Sequence, residues 1–247
     1  MSSCISPAII MRVKEFGESD LLVTFFAFDR GRLKGVAKGA RRSRRRFANC
    51  LDLFCLTDLE YNFKAKGDLC FIHSGKLISP FQALRSDFSS LSLASYMTEL
   101  TEILFPLGVV DKSAFELLKD SFFALEEDKR KDVLRIFFEA RAMALGGYGI
   151  NLERCCSCGR QYTGTGNAVF KPNKGGIACL KCEHESALCP CLSPDTAKIL
   201  KHIQSGLWHK FQVLSLTEQA IREIKPVLKL HIEYRIGRRL KSARYME

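Results

Sequence analysis

Four of the cysteines have the spacing of a metal site. Cys155 and Cys158 form one Cys-x-x-Cys pair, Cys179 and Cys182 form a second, and twenty residues lie between the pairs. Zn²⁺ in structural sites takes four ligands in a tetrahedron, and a gap of two residues lets one turn of the chain present two thiolates to the same ion. The pattern therefore predicts a structural zinc site. Four thiolates leave no open position for water, so the metal would stabilise the fold without catalysing a reaction.

The choice of ligands stays open at the level of sequence. Cys156 competes with Cys155 for the first pair. Three further residues compete for the second half of the site: His184, Cys189 and Cys191. A redox-active dithiol is the alternative use of such a pair, but the thioredoxin-like βαβ pattern that would surround it is missing.

A run of cations near the front of the chain is the second chemical signal. Residues 31–47 read GRLKGVAKGARRSRRRF, with five arginines in the six positions 41–46. These guanidiniums repel one another, and a polyanion lying across them would replace repulsion by bidentate contacts to phosphate oxygens. The run therefore predicts a nucleic-acid surface, because arginine also stacks on exposed bases. Its candidate binding residues are Lys34, Lys38, Arg41, Arg42, Arg44, Arg45 and Arg46. A solvated basic loop is the alternative.

The net charge of +11 is concentrated at the two ends. Residues 1–80 carry 14 Lys and Arg against 8 Asp and Glu, and residues 193–247 carry 11 against 5, a net +6 for each. Residues 81–150 are acidic, with 8 cations against 11 anions. This asymmetry indicates a polyanionic partner for the ends. Some of the C-terminal cations are expected to be structural, since a helix C-terminus favours positive charge.

Five segments in the first 80 residues have the composition of strands and predict a small closed barrel. The segments are residues 8–16, 21–28, 32–38, 50–63 and 69–79. They are rich in Val, Ile, Thr and Phe and are separated by turn residues. In the third, Leu33 and Val36 are expected to face a core, and Lys34 and Lys38 to face solvent. A five-stranded OB fold fits this pattern, and a small sandwich or an SH3-like barrel fits it nearly as well.

Three aromatic residues lie close in sequence to the cations or the strands around them: Phe47, Tyr61 and Phe63. They are candidates for stacking on bases, although packing in the core is the stronger expectation. Four cysteines in the same region are expected to be small buried apolar residues: Cys4, Cys50, Cys55 and Cys70.

From residue 80 the apolar period changes to three and four residues, which predicts amphipathic helices over 81–104, 113–127 and 133–144. A cysteine-rich insertion follows. Ser193 and Pro194 then begin a further helix, and a capping box over residues 215–218 begins the last one. Pro226 is expected to kink or split that last helix. The predicted fold is α+β, and its parts are an OB-fold domain (1–80), a helical domain in two parts (81–154 and 193–247) and a zinc-ribbon-like insertion (155–192).

The sequence offers no motif for an enzyme. It contains no P-loop, no HExxH, no GxSxG and no GxGxxG in a βαβ setting, and its five histidines are scattered. The first residues do not resemble a signal peptide, and no apolar run approaches the ~18 residues of a membrane span. The odd number of cysteines, 11, argues against a framework of disulfides. We therefore expect a cytoplasmic protein with reduced thiols that is not an enzyme.

Four stretches together resemble the bacterial RecO family of DNA repair proteins. They are the segment EFGESDLLVTFF at 15–26, the cationic run at 31–47, the two cysteine pairs and the segment HIEYRIGRRLKSARYM at 231–246. The resemblance covers nearly the whole chain in the same order. The surplus cysteines, Cys156, Cys189 and Cys191, depart from the family pattern.

The resemblance implies a protein that binds single- and double-stranded DNA and anneals complementary strands. It also implies work with RecR, and in some settings RecF, to help RecA replace single-strand-binding protein on DNA, through a contact with that protein's C-terminal tail. Such a protein would act at the bacterial nucleoid. The basic strand and loop of the family fall on the seven cations of the run, and its zinc cysteines on Cys155, Cys158, Cys179 and Cys182. Its basic final helix falls on Arg238, Arg239, Lys241 and Arg244.

Two alternatives come from other classes of protein. An RNA-binding protein of the translation machinery can be built from the same OB and zinc-knuckle parts, and equal or tighter binding to RNA than to DNA would favour it. An enzyme, either a dithiol reductase or a zinc hydrolase, would be indicated by turnover of small substrates.

Overall fold

The computed structural model describes residues 3–63, 69–127, 130–185, 189–206 and 215–246. The chain forms two compact units, Met1–Glu127 and Asp128–Glu247. The boundary falls inside the segment 81–154 that was predicted as the first part of a helical domain, and the finer division at 80, 154 and 192 stays a prediction. None of the described helices is both long and apolar enough to cross a bilayer.

The first unit begins with a closed barrel of five strands. They are β1 (Cys4–Phe16), β2 (Asp20–Ala27), β3 (Gly31–Ala37), β4 (Leu56–Phe63) and β5 (Leu69–Ser79), in the order β1-β2-β3-β5-β4. Every pair is antiparallel except β3 with β5. The long β1 pairs with β2 along one part and with β4 along another, and a bulge between Ile10 and Arg12 bends it. This topology is that of an OB fold, so the predicted fold class is confirmed.

Alternate residues of the strands fill the barrel. Val23, Phe25 and Leu59 are fully buried in it, and the rings of Phe25 and Tyr61 meet edge to face with centroids 5.4 Å apart. Tyr61 and Phe47 belong to this core, as expected.

The fourth strand was predicted to begin at residue 50, and this was wrong. The chain turns instead, because Asn49 and Phe54 have positive φ angles of 52° and 68°, which a strand does not accommodate. The turn is held to β1, since the N–H of Phe54 donates to the carbonyl of Ile10 at 2.7 Å. Cys50 and Cys55 lie in this turn and are buried. Cys70 is buried in β5, and Cys4 in β1 is half-buried.

Three helices complete the first unit: α1 (Gln82–Ser86), α2 (Phe88–Leu104) and α3 (Lys112–Glu126). The segment 81–104 is two helices, because the side chain of Asp87 caps α2 by accepting the N–H of Ser90 at 2.7 Å. Aromatic residues join the helices to the barrel: Phe115 meets Phe26 and Phe28 edge to face, with centroids 5.8 and 5.5 Å apart. Arg12 of the barrel also forms a two-pronged ion pair with the buried Glu102 of α2.

The second unit holds α4 (Lys131–Leu145), a small sheet, α5 (Pro194–Ser205) and α6 (Glu218–Ile236). The sheet has the order β7-β6-β8, from β6 (Ala168–Lys171), β7 (Gly176–Cys179) and β8 (Cys191–Leu192).

Caps explain where these helices begin and end. Ser193 caps α5 and Pro194 is its first residue, as predicted. The cap of α6 is Thr217, not Ser215, because the Thr217 hydroxyl accepts the N–H of Ala220 at 3.2 Å. Pro226 does not split α6, which runs without a break to Gly237.

Candidate nucleic-acid interface and metal centre

The two cysteine pairs come together in the second unit. The sulfurs of Cys155, Cys158, Cys179 and Cys182 all lie within 4.8 Å of one another, and Cys158 and Cys179 are 3.9 Å apart. Four thiolates at about 2.3 Å from a tetrahedral zinc ion would be about 3.8 Å from each other. The donor set and the spacing therefore fit Zn²⁺.

Backbone hydrogen bonds shape each pair into a tight knuckle. The N–H of Gly159 donates to the carbonyl of Cys155 at 2.8 Å, and the N–H of Cys182 donates to that of Cys179 at 2.9 Å. Gly159 has a φ angle of +71°, which favours glycine at this position. The N–H of Cys179 points at the sulfur of Cys155, 3.3 Å away, and so links the two knuckles.

The electrostatics of the cluster suit a cation. Burial disfavours the Cys155 thiolate, but backbone N–H groups led by that of Cys179 outweigh this effect and lower the pKa of Cys155 to about 6. The pKa of Cys182 is raised to about 12, chiefly by its hydrogen bond with Cys158 and then by that with Cys179. One thiol thus ionises readily, and its neighbour keeps the proton that it shares with Cys158 and Cys179. A bound cation favours the thiolate form of such ligands.

The geometry answers the question of ligand register. Among the described residues, the cluster contains Cys155 and not Cys156, and it does not include the three other competitors, His184, Cys189 and Cys191. The N–H of Cys156 instead donates to the carbonyl of Ile177 at 2.8 Å. The sulfur of Cys191 contacts the carbonyl of Cys189 at 3.5 Å.

The cationic run of the first unit forms a compact loop at the end of β3. Gly39, with a φ angle of +66°, leads into a short 3₁₀ turn over Ala40–Arg42. The side chain of Asp20 fixes this start by accepting the N–H of Gly39 at 2.8 Å. Seven cations of the strand and loop are exposed: Lys34, Lys38, Arg41, Arg42, Arg44, Arg45 and Arg46.

The five arginines of the loop fall into two groups. Arg41 pairs with Glu15 at 3.1 Å and donates to the carbonyl of Glu18 at 3.3 Å. Arg46 donates to the carbonyl of Lys38 at 2.7 Å and lies over the ring of Phe47. In the part of the chain that the structure describes, the guanidiniums of the other three, Arg42, Arg44 and Arg45, have no such partner. These three are therefore the ones free to take a phosphate.

An aromatic residue, Phe71, lies near Lys38 on the outer face of the barrel. Phe71 pairs with Val36 between β5 and β3, and the ammonium of Lys38 lies 5.6 Å from the centroid of its ring. The sequence prediction missed Phe71. Strand alternation was the available signal, because its neighbours Cys70 and Ile72 are both buried in the core.

The C-terminal cations do not lie on the final helix, so that prediction was wrong. The helix ends at Ile236, where Gly237 turns the chain with a φ angle of +71°. Leu240 and Ser242 are buried, and all four cations are exposed. Arg238 and Arg239 precede the buried pair, Lys241 lies between its members, and Arg244 lies in the short 3₁₀ helix Ser242–Tyr245. The guanidinium of Arg244 also lies over the ring of Tyr245, 4.6 Å from its centroid.

These features define a class of protein. A closed OB-fold barrel with cations on one outer face, followed by a helical unit with a four-cysteine module, is an architecture used to bind nucleic acid.

Comparison with known proteins narrows that class. The family model described as Recombination protein O N terminal matches residues 1–81, and the one described as Recombination protein O C terminal matches residues 85–244. The DNA repair protein RecO of Syntrophus aciditrophicus is 30% identical over 241 residues, which are 96% of this chain and 93% of the relative. That of Syntrophobacter fumaroxidans is 37% identical over 179 residues, 72% and 71% of the two chains. That of Desulfatibacillum aliphaticivorans is 31% identical over 251 residues, 100% and 97%. The chain therefore belongs to the RecO family of DNA repair and recombination proteins.

Proposed function

We propose that this protein is a recombination mediator without catalytic activity. In this role it binds single- and double-stranded DNA, anneals complementary strands and, with RecR, helps load RecA onto DNA covered by single-strand-binding protein. The observation that carries the proposal is the set of exposed guanidiniums of Arg42, Arg44 and Arg45, which have no partner among the described residues and follow the exposed Lys34 and Lys38 in the chain. Family membership supports it.

Annealing needs no bond chemistry from the protein. Two strands repel through their phosphates, and cations that neutralise both lower that barrier and raise the local concentration of strands. The chain has two sets of exposed cations, one in each unit, so each can take a strand. The energy for pairing then comes from the bases themselves.

The zinc ion, in this proposal, is structural. Its ligands are Cys155, Cys158, Cys179 and Cys182, and it holds together a loop-rich segment with only a three-stranded sheet of its own. Four protein ligands leave the ion no site for substrate.

The protein partners follow from the family and lie in the bacterial cytoplasm: RecR, the acidic tail of single-strand-binding protein and, indirectly, RecF and RecA. Cations of α4 and of the residue before it are candidates for the acidic tail: Arg130, Lys131, Arg135 and Arg141. Two of them have internal tasks that weaken this assignment. Arg135 pairs with the buried Glu139 at 2.8 Å, and Arg141 donates to the carbonyl of Gln204 at 2.6 Å.

An annealing assay tests the proposal. Complementary oligonucleotides are first coated with single-strand-binding protein from the same organism, and duplex formation is followed by fluorescence transfer. We expect the wild-type protein to accelerate duplex formation and the triple variant Arg42→Ala, Arg44→Ala, Arg45→Ala to lose most of that acceleration. A wild-type protein that binds no oligonucleotide even at low salt contradicts the proposal, and tighter binding to RNA than to DNA supports the RNA-binding alternative.

A further inference from the structure

The outer face of β3 and β5 has an apolar centre with cations beside it. Gly35 points inward, since a Cβ built on it would meet the sulfur of Cys70 at 2.7 Å and the side chain of Ile72 at 2.8 Å. Strand alternation therefore turns the neighbours of these residues outward: Lys34 and Val36 on β3, and Leu69, Phe71 and His73 on β5. Lys38 follows directly after the last residue of β3, and its ammonium lies over the ring of Phe71.

The register of β3 and β5 determines which residues are neighbours on this outer face. Lys34 stands opposite Leu69, and Val36 stands opposite Phe71. Val36 is only 7% exposed although it lies outside the interior cluster, so neighbours on the outer face cover it. Leu69 is 41% exposed, and Phe71 is half-buried. The result is an apolar strip with Lys34 opposite Leu69 at one end and the ammonium of Lys38 over the ring of Phe71 at the other.

The three aromatic residues that the sequence offered for stacking lie away from this strip. Phe47 and Tyr61 are buried in the interior. Phe63 is 40% exposed, but its ring meets that of Tyr61 edge to face with centroids 5.9 Å apart, so it points to the interior side of β4. Among the described residues, Phe71 is the aromatic side chain of the barrel that meets one of the proposed DNA-binding lysines.

We propose that Phe71 is a base-stacking residue that makes the barrel prefer single-stranded to double-stranded DNA. The inference rests on the proposed function and names what its DNA site recognises. A cation binds the phosphates of single- and double-stranded DNA alike. An aromatic ring, however, can stack only on a base that is not already held in a base stack. Duplex bases are already stacked and paired, so they cannot lie on Phe71. On binding, the ammonium of Lys38 moves from the ring to the phosphate of the stacked nucleotide.

The alternative is that Phe71 does no more than cover Val36. The variant Phe71→Leu separates the two readings, because leucine keeps an apolar cover and removes the aromatic face. Binding of oligothymidine, of a duplex of equal length and of an abasic oligomer of equal length is measured by fluorescence anisotropy over a range of salt. The matched control is Phe63→Leu, which removes a more exposed ring from a position off the strip.

We expect Phe71→Leu to weaken binding of oligothymidine about tenfold, the size of one lost base stack. Its affinity for the duplex and for the abasic oligomer should stay within about twofold of wild type, and its salt dependence should not change because no charge is lost. Phe63→Leu should bind all three like wild type. Equal losses for oligothymidine and duplex, no loss at all, or the same selective loss in Phe63→Leu would overturn the assignment.

A second variant gives a direct readout of contact and covers the case in which Phe71→Leu does not fold. Phe71→Trp keeps an aromatic face, so it should bind oligothymidine at least as tightly as wild type. Its added tryptophan fluorescence should be quenched by oligothymidine and not by the abasic oligomer, and equal quenching by both would overturn the inference. If wild-type protein binds no DNA, the proposed function fails as a whole. If wild type binds and Phe71→Leu matches it on all three probes, only this inference fails.

Discussion

Arg46 donates from its Nη2 to the carbonyl oxygen of Lys38 at 2.7 Å, so one arginine of the cationic loop holds the strand end from which the loop departs. The backbone carbonyl of Arg46 also accepts the N–H of Gly75, at 2.8 Å, which ties the same residue to β5. Arginines that look equivalent in the sequence therefore have different tasks. Arg46 shapes the loop, and Arg42, Arg44 and Arg45 present charge.

The first prediction concerns those three arginines. Replacing Arg42, Arg44 and Arg45 together by alanine should weaken binding of single-stranded DNA strongly at low salt. It should also lower the slope of log affinity against log salt by about 2, since each phosphate contact contributes ~0.7. The melting temperature should not fall, because these side chains have no partner among the described residues. Titrations at four or more salt concentrations measure the slope, and an unchanged slope would rule out phosphate contacts by these arginines.

The second prediction is that Arg46, unlike Arg42, Arg44 and Arg45, contributes to the stability of the fold. Arg46→Ala should lower the free energy of unfolding by ~1 kcal/mol, because the carbonyl of Lys38 loses a charge-assisted hydrogen bond. Arg46→Lys should recover only part of this loss, since an ammonium cannot reproduce the fork of a guanidinium. Urea unfolding of the two variants, with Arg45→Ala as the control, measures the difference. A stability equal to wild type for Arg46→Ala would contradict the structural role.

The third prediction concerns the metal. Purified protein should contain one zinc ion per chain by elemental analysis, and Cys158→Ser should lose it together with several kcal/mol of stability. Cys156→Ser is the matched control, because Cys156 is a close neighbour in sequence and lies outside the cluster. It should keep both zinc and stability. Loss of zinc from Cys156→Ser and not from Cys158→Ser would reverse the ligand assignment.

The fourth prediction concerns Glu102 on α2. Its carboxylate is buried and accepts the Nε of Arg12 at 2.8 Å, and the half-buried Arg32 lies within its electrostatic reach. Glu102→Gln would remove the carboxylate that pairs with the exposed Arg12 and faces the half-buried Arg32, which should cost about 1–2 kcal/mol of stability after screening of Arg12 by solvent. Thermal and urea unfolding measure this cost. Glu99→Gln, three residues earlier on the same helix, should cost much less, and equal costs for the two variants would show that Glu102 has no special role.

Much of the barrel could be predicted from the sequence, because strand composition and glycine turns are local signals. The errors lie where a local signal was absent. Asn49 and Phe54 adopt positive φ angles without being glycines, so nothing in their residue types indicated that the fourth strand starts late. Gly237, in contrast, is a glycine of the kind that ends helices. The prediction that the last cations lie on the final helix did not take this signal into account.

In the candidate sites, too, features with a local sequence signal could be predicted and features that depend on folding could not. The spacing of the cysteine pairs predicted the four that cluster, but only folding separates Cys155 from Cys156, which are adjacent in the chain. The run of arginines indicated a polyanion surface without revealing which members are tied to backbone carbonyls. Such ties join distant parts of the chain, since Arg46 bonds to Lys38 just after β3 and to Gly75 on β5, and sequence patterns do not report them.

The buried side chains of Leu240 and Ser242 hold the end of the chain in place, and this lowers the entropy cost of binding a ligand there. A loose basic tail must be immobilised when it meets a ligand, at roughly 1–2 kcal/mol per residue of backbone entropy. Here the burial of these two side chains has already ordered the stretch that carries Arg239 and Lys241. Charged groups held at fixed intervals can be bound and released one at a time, which would suit the annealing role proposed above.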